Sequence, residues 1–317
     1  MTEEILVGLD IEGPCALNDN AQETTVALAT ERYGLGAEVG AAFYQRKSTI
    51  DDIWGDFHKI QKDPGYSAGH TLKVILPFYK AMGADMEWLR DFARKSLRLM
   101  PHIETVIAEM YGKYDIRLVS TSYYFFVEAF CDYTGFYYNP SDKKDKRENV
   151  FCTKVDDFDN IAISTREKAI LMSFMAKVAE MPIIEYNKET GEVIPEHQPY
   201  YNVITDFIWD YIYAMDAGWF LRNVHPVGQA QKLEALKSVC ANWEIPKKRV
   251  MYVCDSQTDL AVVKWLGEGD ESEKGLSVMF NGKGPVFRLS DIACIGDNGM
   301  PISEIAQIFV DYGRQAV

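Results

Sequence analysis

Hydrophobic positions along this chain fall into blocks of two kinds, short unbroken apolar runs and longer stretches with a helical period. Residues 5–9 (Ile-Leu-Val-Gly-Leu) are an apolar run stopped by Asp10 and then by Gly13-Pro14. That is the pattern of a buried strand ending in a turn, with a carboxylate at its C-terminal end. From 20 to about 100, apolar positions recur every three or four residues over Thr24–Tyr33, Ile50–Lys62, Thr71–Met82 and Asp85–Met100. Gly- or Pro-bearing breaks separate these stretches, and the spacing predicts helices almost throughout. A further helix at Ile103–Tyr111 leads into a second apolar strand, Ile116–Val119, ending in Ser120-Thr121-Ser122.

Residues 132 to 225 are less regular. A strand at Val150–Thr153 precedes a helix at Thr165–Glu180, then a hairpin (Ile183–Tyr186, the turn 187–191, Val193–Ile194) and an aromatic-rich helix over about 202–217. After Pro226 regularity returns as helix 228–242, strand 250–254, helix 257–266 and strands 276–280 and 292–295. Buried strands joined by helices predict an α/β fold with a parallel sheet, and such sheets bind ligands beyond the C-terminal ends of their strands. Three strand ends carry reactive groups: Asp10, Ser120 and Asp255.

Composition narrows the classes. The 317 residues suggest two domains, or one carrying a large insertion. A 47% hydrophobic and 25% charged content is ordinary for a globular chain. A formal net charge of −14 makes nucleic acid a poor partner, because duplex binding relies on Lys and Arg neutralising phosphates. The densest basic run, Lys143-Lys144-Asp145-Lys146-Arg147, is interrupted and reads as a solvated loop. Six dispersed cysteines without a C-x-x-C pair read as reduced thiols of a cytoplasmic protein, and no Cys/His cluster has zinc spacing. The acidic start is unlike a signal peptide, and no apolar run is long enough for a membrane helix.

The chemistry-bearing residues follow the strands. Asp10-Ile11-Glu12-Gly13-Pro14 sets two carboxylates just past the first strand. Asp255-Ser256-Gln257-Thr258-Asp259 follows strand 250–254 and puts two more on one face of a helix start. Ser120 or Thr121 supplies a hydroxyl, and Lys232 a cation. A hard divalent ion such as Mg²⁺ takes a few carboxylates plus phosphate oxygens and waters, which Asp10, Asp255 and a backbone carbonyl can serve. Phosphoryl transfer further requires positioning and charge neutralisation, to which Lys232 and Ser120 are suited. A carboxylate nucleophile forms an aspartyl-phosphate, and a neighbouring carboxyl trades the leaving-group proton.

At these residues the sequence resembles the haloacid dehalogenase (HAD) superfamily of aspartate-nucleophile phosphatases, whose four motifs appear in order. The resemblance implies Asp10 as nucleophile and metal ligand, Glu12 as general acid/base and metal ligand, Ser120 as phosphoryl-binding hydroxyl, with Thr121 the alternative, and Lys232 as phosphoryl-binding cation. Asp255 and Asp259 form the acidic metal motif. Met100-Pro101-His102-Ile103-Glu104 looks like the return from cap to core, and Gly275–Gly284 with Ile292–Gly296 like the last two core strands. The helical insertion and serine-type second motif look closest to the phosphoserine-phosphatase-like branch. The whole chain is also similar to an archaeal-type HAD group carrying Asp-x-Glu-Gly-Pro. Two departures stand out: Glu12 replaces the usual second Asp, and Cys254 the common Gly before the acidic motif. The implied architecture is a Rossmann-like core in three parts, 1–16, 100–131 and 226–317, with a helical cap at 17–99 and a second α+β insertion at 132–225.

Each residue also has a bland reading. Asp after a strand is often a turn former, and Asp-Ser-x-x-Asp a helix cap. Lys237, Lys247 and Lys248 compete with Lys232. Arg90, Arg94 and Arg98 recur every four residues, either as a solvated face or as an anion contact. The loop Asp63–Thr71 is either an ordinary connection or one hanging over the site. Trp209, Tyr213, Trp219 and Phe220 read as core, with a homodimer or cap–core contact as the alternative, and Asp206, Asp210 and Asp216 as their solvated face. The expectation is a Mg²⁺-dependent phosphohydrolase acting on a small phosphorylated metabolite. Its rivals are a phosphotransferase or phosphomutase on the same scaffold, and a non-catalytic HAD-like binding protein.

Overall fold

The computed structural model of the chain describes residues 5–136, 149–282 and 284–313. The basic stretch 143–147 lies outside them. Two compact units divide the chain, one comprising Met1–Asn18, Arg94–Thr153 and Val227–Val317, the other Asp19–Ala93 and Lys154–Pro226.

The first unit is built on a six-stranded sheet among the described residues: β1 (Leu6–Leu9), β2 (Asp115–Tyr123), β3 (Val150–Thr153), β4 (Val250–Cys254), β5 (Leu276–Phe280) and β6 (Ile292–Cys294). The order is β3-β2-β1-β4-β5-β6 and every neighbouring pair is parallel. β1, β4 and β5 are buried along their whole length, which is why they read as continuous apolar runs rather than alternating ones. One face packs on helices Gln229–Asn242 and Leu260–Gly267 through Leu6, Val119, Leu236, Tyr252, Val263 and Leu266. Right-handed crossovers send the connections of the other half to the opposite face. There helix Ile103–Met110 packs between Tyr124–Thr134 and Met300–Tyr312.

Three helices of this unit go beyond the sequence expectations: Tyr124–Thr134, Pro285–Leu289 and Met300–Tyr312. Helix 257–266 opens with a single 3₁₀ turn, Gln257–Asp259, before the α-helix begins at Leu260.

The second unit is helical, and its two chain segments interleave. Helix Ala37–Asp56 packs on Thr165–Glu180, and Thr71–Ala81 packs on both Thr165–Glu180 and Trp219–Asn223. An aromatic trio of Trp54, Tyr66 and Trp209, with ring centroids 5.6–5.7 Å apart, joins the two segments in its core. The expected aromatic helix is broken by local winding: Gln198–Asp206 is α, Phe207–Tyr211 is π and Ile212–Ala214 is 3₁₀. The expected hairpin is reduced to one bridge, Tyr186 to Val193, across a turn closed by Gly191 N donating to Asn187 O at 2.8 Å.

Glu167 links two parts of this unit. One carboxylate oxygen accepts from Ser164 N (2.9 Å) in a capping box, while the other accepts from Asp216 N (2.7 Å) and Ala217 N. Orphan donors of a helix start and of a distant turn thus share one acid. Glu167→Ala is expected to lower stability by about 1–2 kcal/mol, read as the denaturant midpoint; Glu167→Gln, which keeps one acceptor, should lose less. A midpoint unchanged in Glu167→Ala would contradict this role.

Candidate active site

The sheet order reverses between β1 and β4, since the chain runs outward from β1 through β2 to β3 and then returns to β4 on the other side. A reversal of this kind opens a crevice at the C-terminal ends of the strands. Leu9 pairs with Leu118 of β2 and Val253 of β4, so Asp10 emerges level with Val119 and Cys254. Ser120 and Asp255 stand one step further along the flanking strands. Three of the expected groups therefore share one edge by register alone.

Asp10 is 4% exposed. Its backbone N donates to Val253 O at 3.0 Å, and its Oδ1 accepts from Ile11 N at 2.7 Å. Its Oδ2 accepts from Lys232 Nζ at 2.5 Å. Lys232, wholly buried on the first turn of helix Gln229–Asn242, donates also to Asp259 Oδ1 at 2.7 Å. That same oxygen accepts from Tyr252 Oη at 2.7 Å. Asp259 Oδ2 takes the backbone N of Ser256 (3.2 Å) and Asp255 (3.4 Å), closing a capping box over the 3₁₀ turn. Lys232 is thus the cation of the site. Lys247 is spent on the carbonyls of Trp265 and Glu268, and Lys237 lies over the Trp265 ring.

Oxygen atoms of Asp10, Asp255 and Asp259 lie within 4.8 Å of one another, so three carboxylates face one ammonium. Burial pushes Asp10 up to about 7, with Lys232 pulling it down and Asp259 adding to the rise. Asp255 is pushed well above the usual carboxylate range by burial and by Asp10 and Asp259. Burial would lower the Lys232 ammonium, but the two carboxylates outweigh it and hold it above its ordinary value. Cys15 and Cys254, beside the acids, are driven well above the thiol range by burial and neighbouring carboxylates, so neither is a thiolate at neutral pH.

Such an excess of buried acid fits a hard divalent cation, which takes oxygen ligands. The fold leaves space around Asp255 for this. Gly13 has φ +89°, and a Cβ there would lie 2.3 Å from Asp255 Oδ2, so the Gly of Asp-x-Glu-Gly-Pro is required both by its backbone and by the carboxylate beside it. A Cβ at Gly282, after β5, would lie 2.3 Å from Asp255 O. Gly13, Gly282 and Tyr252 were not singled out from the sequence. A glycine in a turn and a tyrosine in a buried strand each look ordinary there.

Glu12 is half-buried in the loop that follows, outside the close trio, and its charge adds to the rise of Asp255. The loop is tight. Ile11 O accepts from Cys15 N (2.9 Å) and Ala16 N (2.7 Å), and Cys15 O accepts from Met100 N. Arg98 helps to hold it, its Nη2 donating to Leu17 O at 3.3 Å and its N to Asn18 Oδ1 at 2.8 Å. Arg94 is exposed and 4.0 Å from Asp132. These contacts favour an anchoring and solvated stripe over an anion site.

The hydroxyl-bearing strand differs from expectation. β2 does not end at Ser120 but runs to Tyr123, because Tyr123 finds a partner in Thr153 of β3 across an irregular register. Strand end therefore does not separate Ser120 from Thr121. Ser120 is fully buried and its Oγ accepts from Ser122 N at 3.2 Å. Thr121 Oγ1, which alternation turns the other way, has no hydrogen-bond partner among the described residues. In the second unit the Asp63–Thr71 loop is tied down internally: Asp51 accepts from Tyr66 Oη and from Gly69 N, and Lys73 pairs with Asp63. Asp210 pairs with Lys62 at 2.7 Å.

No family model matches the chain, and no curated protein matches its sequence. In three dimensions it is similar to a gene product of Archaeoglobus fulgidus, with a TM-score of 0.75 at 20% identity over 99% of this chain and 85% of that one. It is also similar to a phospho-aspartyl intermediate analogue of phosphoserine phosphatase (TM-score 0.52, 13% identity, 95% of this chain and 98% of that one). A probable phosphoserine phosphatase from Vibrio cholerae gives 0.50 at 13% identity over 100% and 68%. It therefore shares the fold of the phosphoserine phosphatases to which it is similar. In this chain Asp10, Lys232 and Asp255 come together at the switch-point edge of the sheet.

The raised acids carry a pH signature. An Asp whose folded pKa is about 7 against 3.8 stabilises the fold fully below about pH 4, and that contribution is lost as pH rises through 7. Asp52 of the second unit, pushed to about 7 by burial and by Asp51, acts in the same direction. Metal-free protein should therefore melt at lower temperature at pH 8 than at pH 5.5. Asp10→Asn should flatten that dependence, and 5 mM Mg²⁺ (a concentration on the order of 10 Kd for a millimolar-range site, worth ~1.4 kcal/mol) should recover stability mainly at pH 8. A melting temperature that rises steadily from pH 5.5 to 8 without metal would contradict the assignment.

Proposed function

We propose that this protein is a divalent-metal-dependent phosphohydrolase that cleaves a small phosphorylated metabolite through an aspartyl-phosphate on Asp10. The observation that carries the proposal is the buried Asp10–Lys232–Asp259 ion-pair system at the switch point of the sheet, with Asp255 beside it. A turn-forming Asp would be exposed and held by neighbouring backbone alone; Asp10 is 4% exposed and, besides Ile11 N, is held by a residue 222 positions away. The fold shared with phosphoserine phosphatases supports the reading.

Asp10 and Asp255, with Glu12 nearby and Asp259 supporting them, would hold Mg²⁺. When bound, the ion supplies positive charge against the phosphoryl oxygens and the surplus carboxylates. The Asp10 carboxylate attacks phosphorus, forming an oxygen–phosphorus bond as the bond to the leaving oxygen breaks. Glu12 gives its proton to that leaving oxygen, then takes one from a water that attacks the phosphorus and releases the Asp10 carboxylate. Lys232 and Ser120, with Thr121 as the neighbouring hydroxyl, hold phosphoryl oxygens as charge spreads over them.

Hydrolysis of p-nitrophenyl phosphate and of a phosphometabolite panel, with Mg²⁺ and with EDTA, tests this. Expected are Mg²⁺-dependent release of phosphate, loss of at least ~10³-fold in Asp10→Asn, and a loss of ~10²–10⁴-fold in Glu12→Gln. Hydrolysis persisting in Asp10→Asn would remove the nucleophile assignment.

A further inference from the structure

We propose that Tyr252 is a positioning residue for Lys232: its hydroxyl shares the charge of Asp259, so that the ammonium stays divided between Asp259 and Asp10. The kinetic consequence rests on the phosphohydrolase reading above; the structural one does not.

Tyr252 is the third residue of β4 and is fully buried. A tyrosine at such a place must bury a polar hydroxyl, which a core position does not otherwise require. Space for the ring comes from Gly8 in the middle of β1, where a Cβ would lie 2.6 Å from Tyr252 Cδ2 and 3.0 Å from Leu236 Cδ2. Glycine weakens a four-residue strand, and close approach of a neighbour is the usual reason for one. The ring is therefore wedged between β1, which delivers Asp10, and the helix that carries Lys232 one turn before Leu236.

The hydroxyl is spent on a single atom. Asp259 Oδ1 receives Tyr252 Oη and Lys232 Nζ, each at 2.7 Å, which fills both of its lone-pair directions. Asp259 Oδ2 is occupied by the amides of Ser256 and Asp255. With the phenol removed, Lys232 becomes the sole donor to Oδ1 and is drawn toward Asp259, away from Asp10 at 2.5 Å. The cation would then be displaced from both the nucleophile and the phosphoryl group it steadies.

The experiment compares wild type, Tyr252→Phe and Gly8→Ala, the last keeping the hydroxyl but pushing the ring off its seat. With p-nitrophenyl phosphate and Mg²⁺, Tyr252→Phe should lose about 10- to 100-fold in kcat, the effect of one hydrogen bond to a charged group, with KM within about threefold. The second readout needs neither metal nor activity. In protein labelled with ¹⁵N-lysine, the Lys232 Nζ resonance, identified by its loss in Lys232→Met, should shift in Tyr252→Phe and in the same direction in Gly8→Ala. A folded Tyr252→Phe with an unmoved Lys232 resonance, or with unchanged kcat, overturns the proposal. Should Tyr252→Phe fail to fold, Gly8→Ala decides by the same resonance. Should wild type hydrolyse nothing, the phosphohydrolase reading falls and the resonance alone decides the role of Tyr252.

Discussion

One ammonium group joins parts of this chain that lie more than two hundred residues apart. Lys232 Nζ, wholly buried, bonds Asp10 at the end of β1 and Asp259 beyond the end of β4. Its burial is tolerable only because both carboxylates are present, and removing one partner of such a pair typically costs about 3–5 kcal/mol. β1 and β4 are neighbours in the sheet, so the pair exists only once the segments between them have been spanned. Asp10 thus acquires its surroundings from the completed sheet rather than from the turn in which it sits. The same constraint explains why the residues around it are small or polar in specific places. Gly13 gives way to Asp255, Gly8 to Tyr252, and Gly282 to the backbone of Asp255.

Electrostatics gives the site its direction. Acid exceeds base over the chain as a whole, with a net charge of −14. At the switch point the excess is buried, and burial makes it costly: Asp10 rises to about 7, and Asp255 is pushed well above the usual carboxylate range. On the proposed reading such a site would exchange protons for a cation, and it would repel a phosphate until that cation is in place. Asp259, with donors on both oxygens, fixes Lys232 and the β4 turn. Asp255, by contrast, has no hydrogen-bond donor aimed at its carboxylate among the described residues, which leaves it open to a metal.

The core strands were legible because strands buried on both faces leave unbroken apolar runs, and β4 and β5 match their expected limits. Asp10, Asp255 and Asp259 were legible because they follow such runs, whereas Lys232, with Lys237, Lys247 and Lys248 nearby, was singled out only by the resemblance and the order of the motifs. The choice between Ser120 and Thr121 was not legible, since it rested on where β2 stops, and pairing with β3 carries that strand on to Tyr123. Tyr252 was hidden because an aromatic in a strand reads as core, and only the partner of its hydroxyl reveals more. The interleaving of helix Ala37–Asp56 with Thr165–Glu180 was equally hidden: each helix shows a local period, but nothing in either names its partner more than a hundred residues away. The breaks in the aromatic stretch at 207–214 coincide with the packing of Trp209 against Trp54 and Tyr66, long-range contacts that the local pattern does not name.

Asp10 is proposed as the phosphoryl acceptor of a metal-dependent site. Beryllofluoride mimics a phosphoryl group attached to a carboxylate, so ¹⁹F NMR of the protein with beryllium fluoride and Mg²⁺ tests the claim without any knowledge of the substrate. Bound ¹⁹F resonances that require Mg²⁺ and disappear in Asp10→Asn are expected. Bound resonances that persist in Asp10→Asn, or that form equally well in EDTA, would contradict that role.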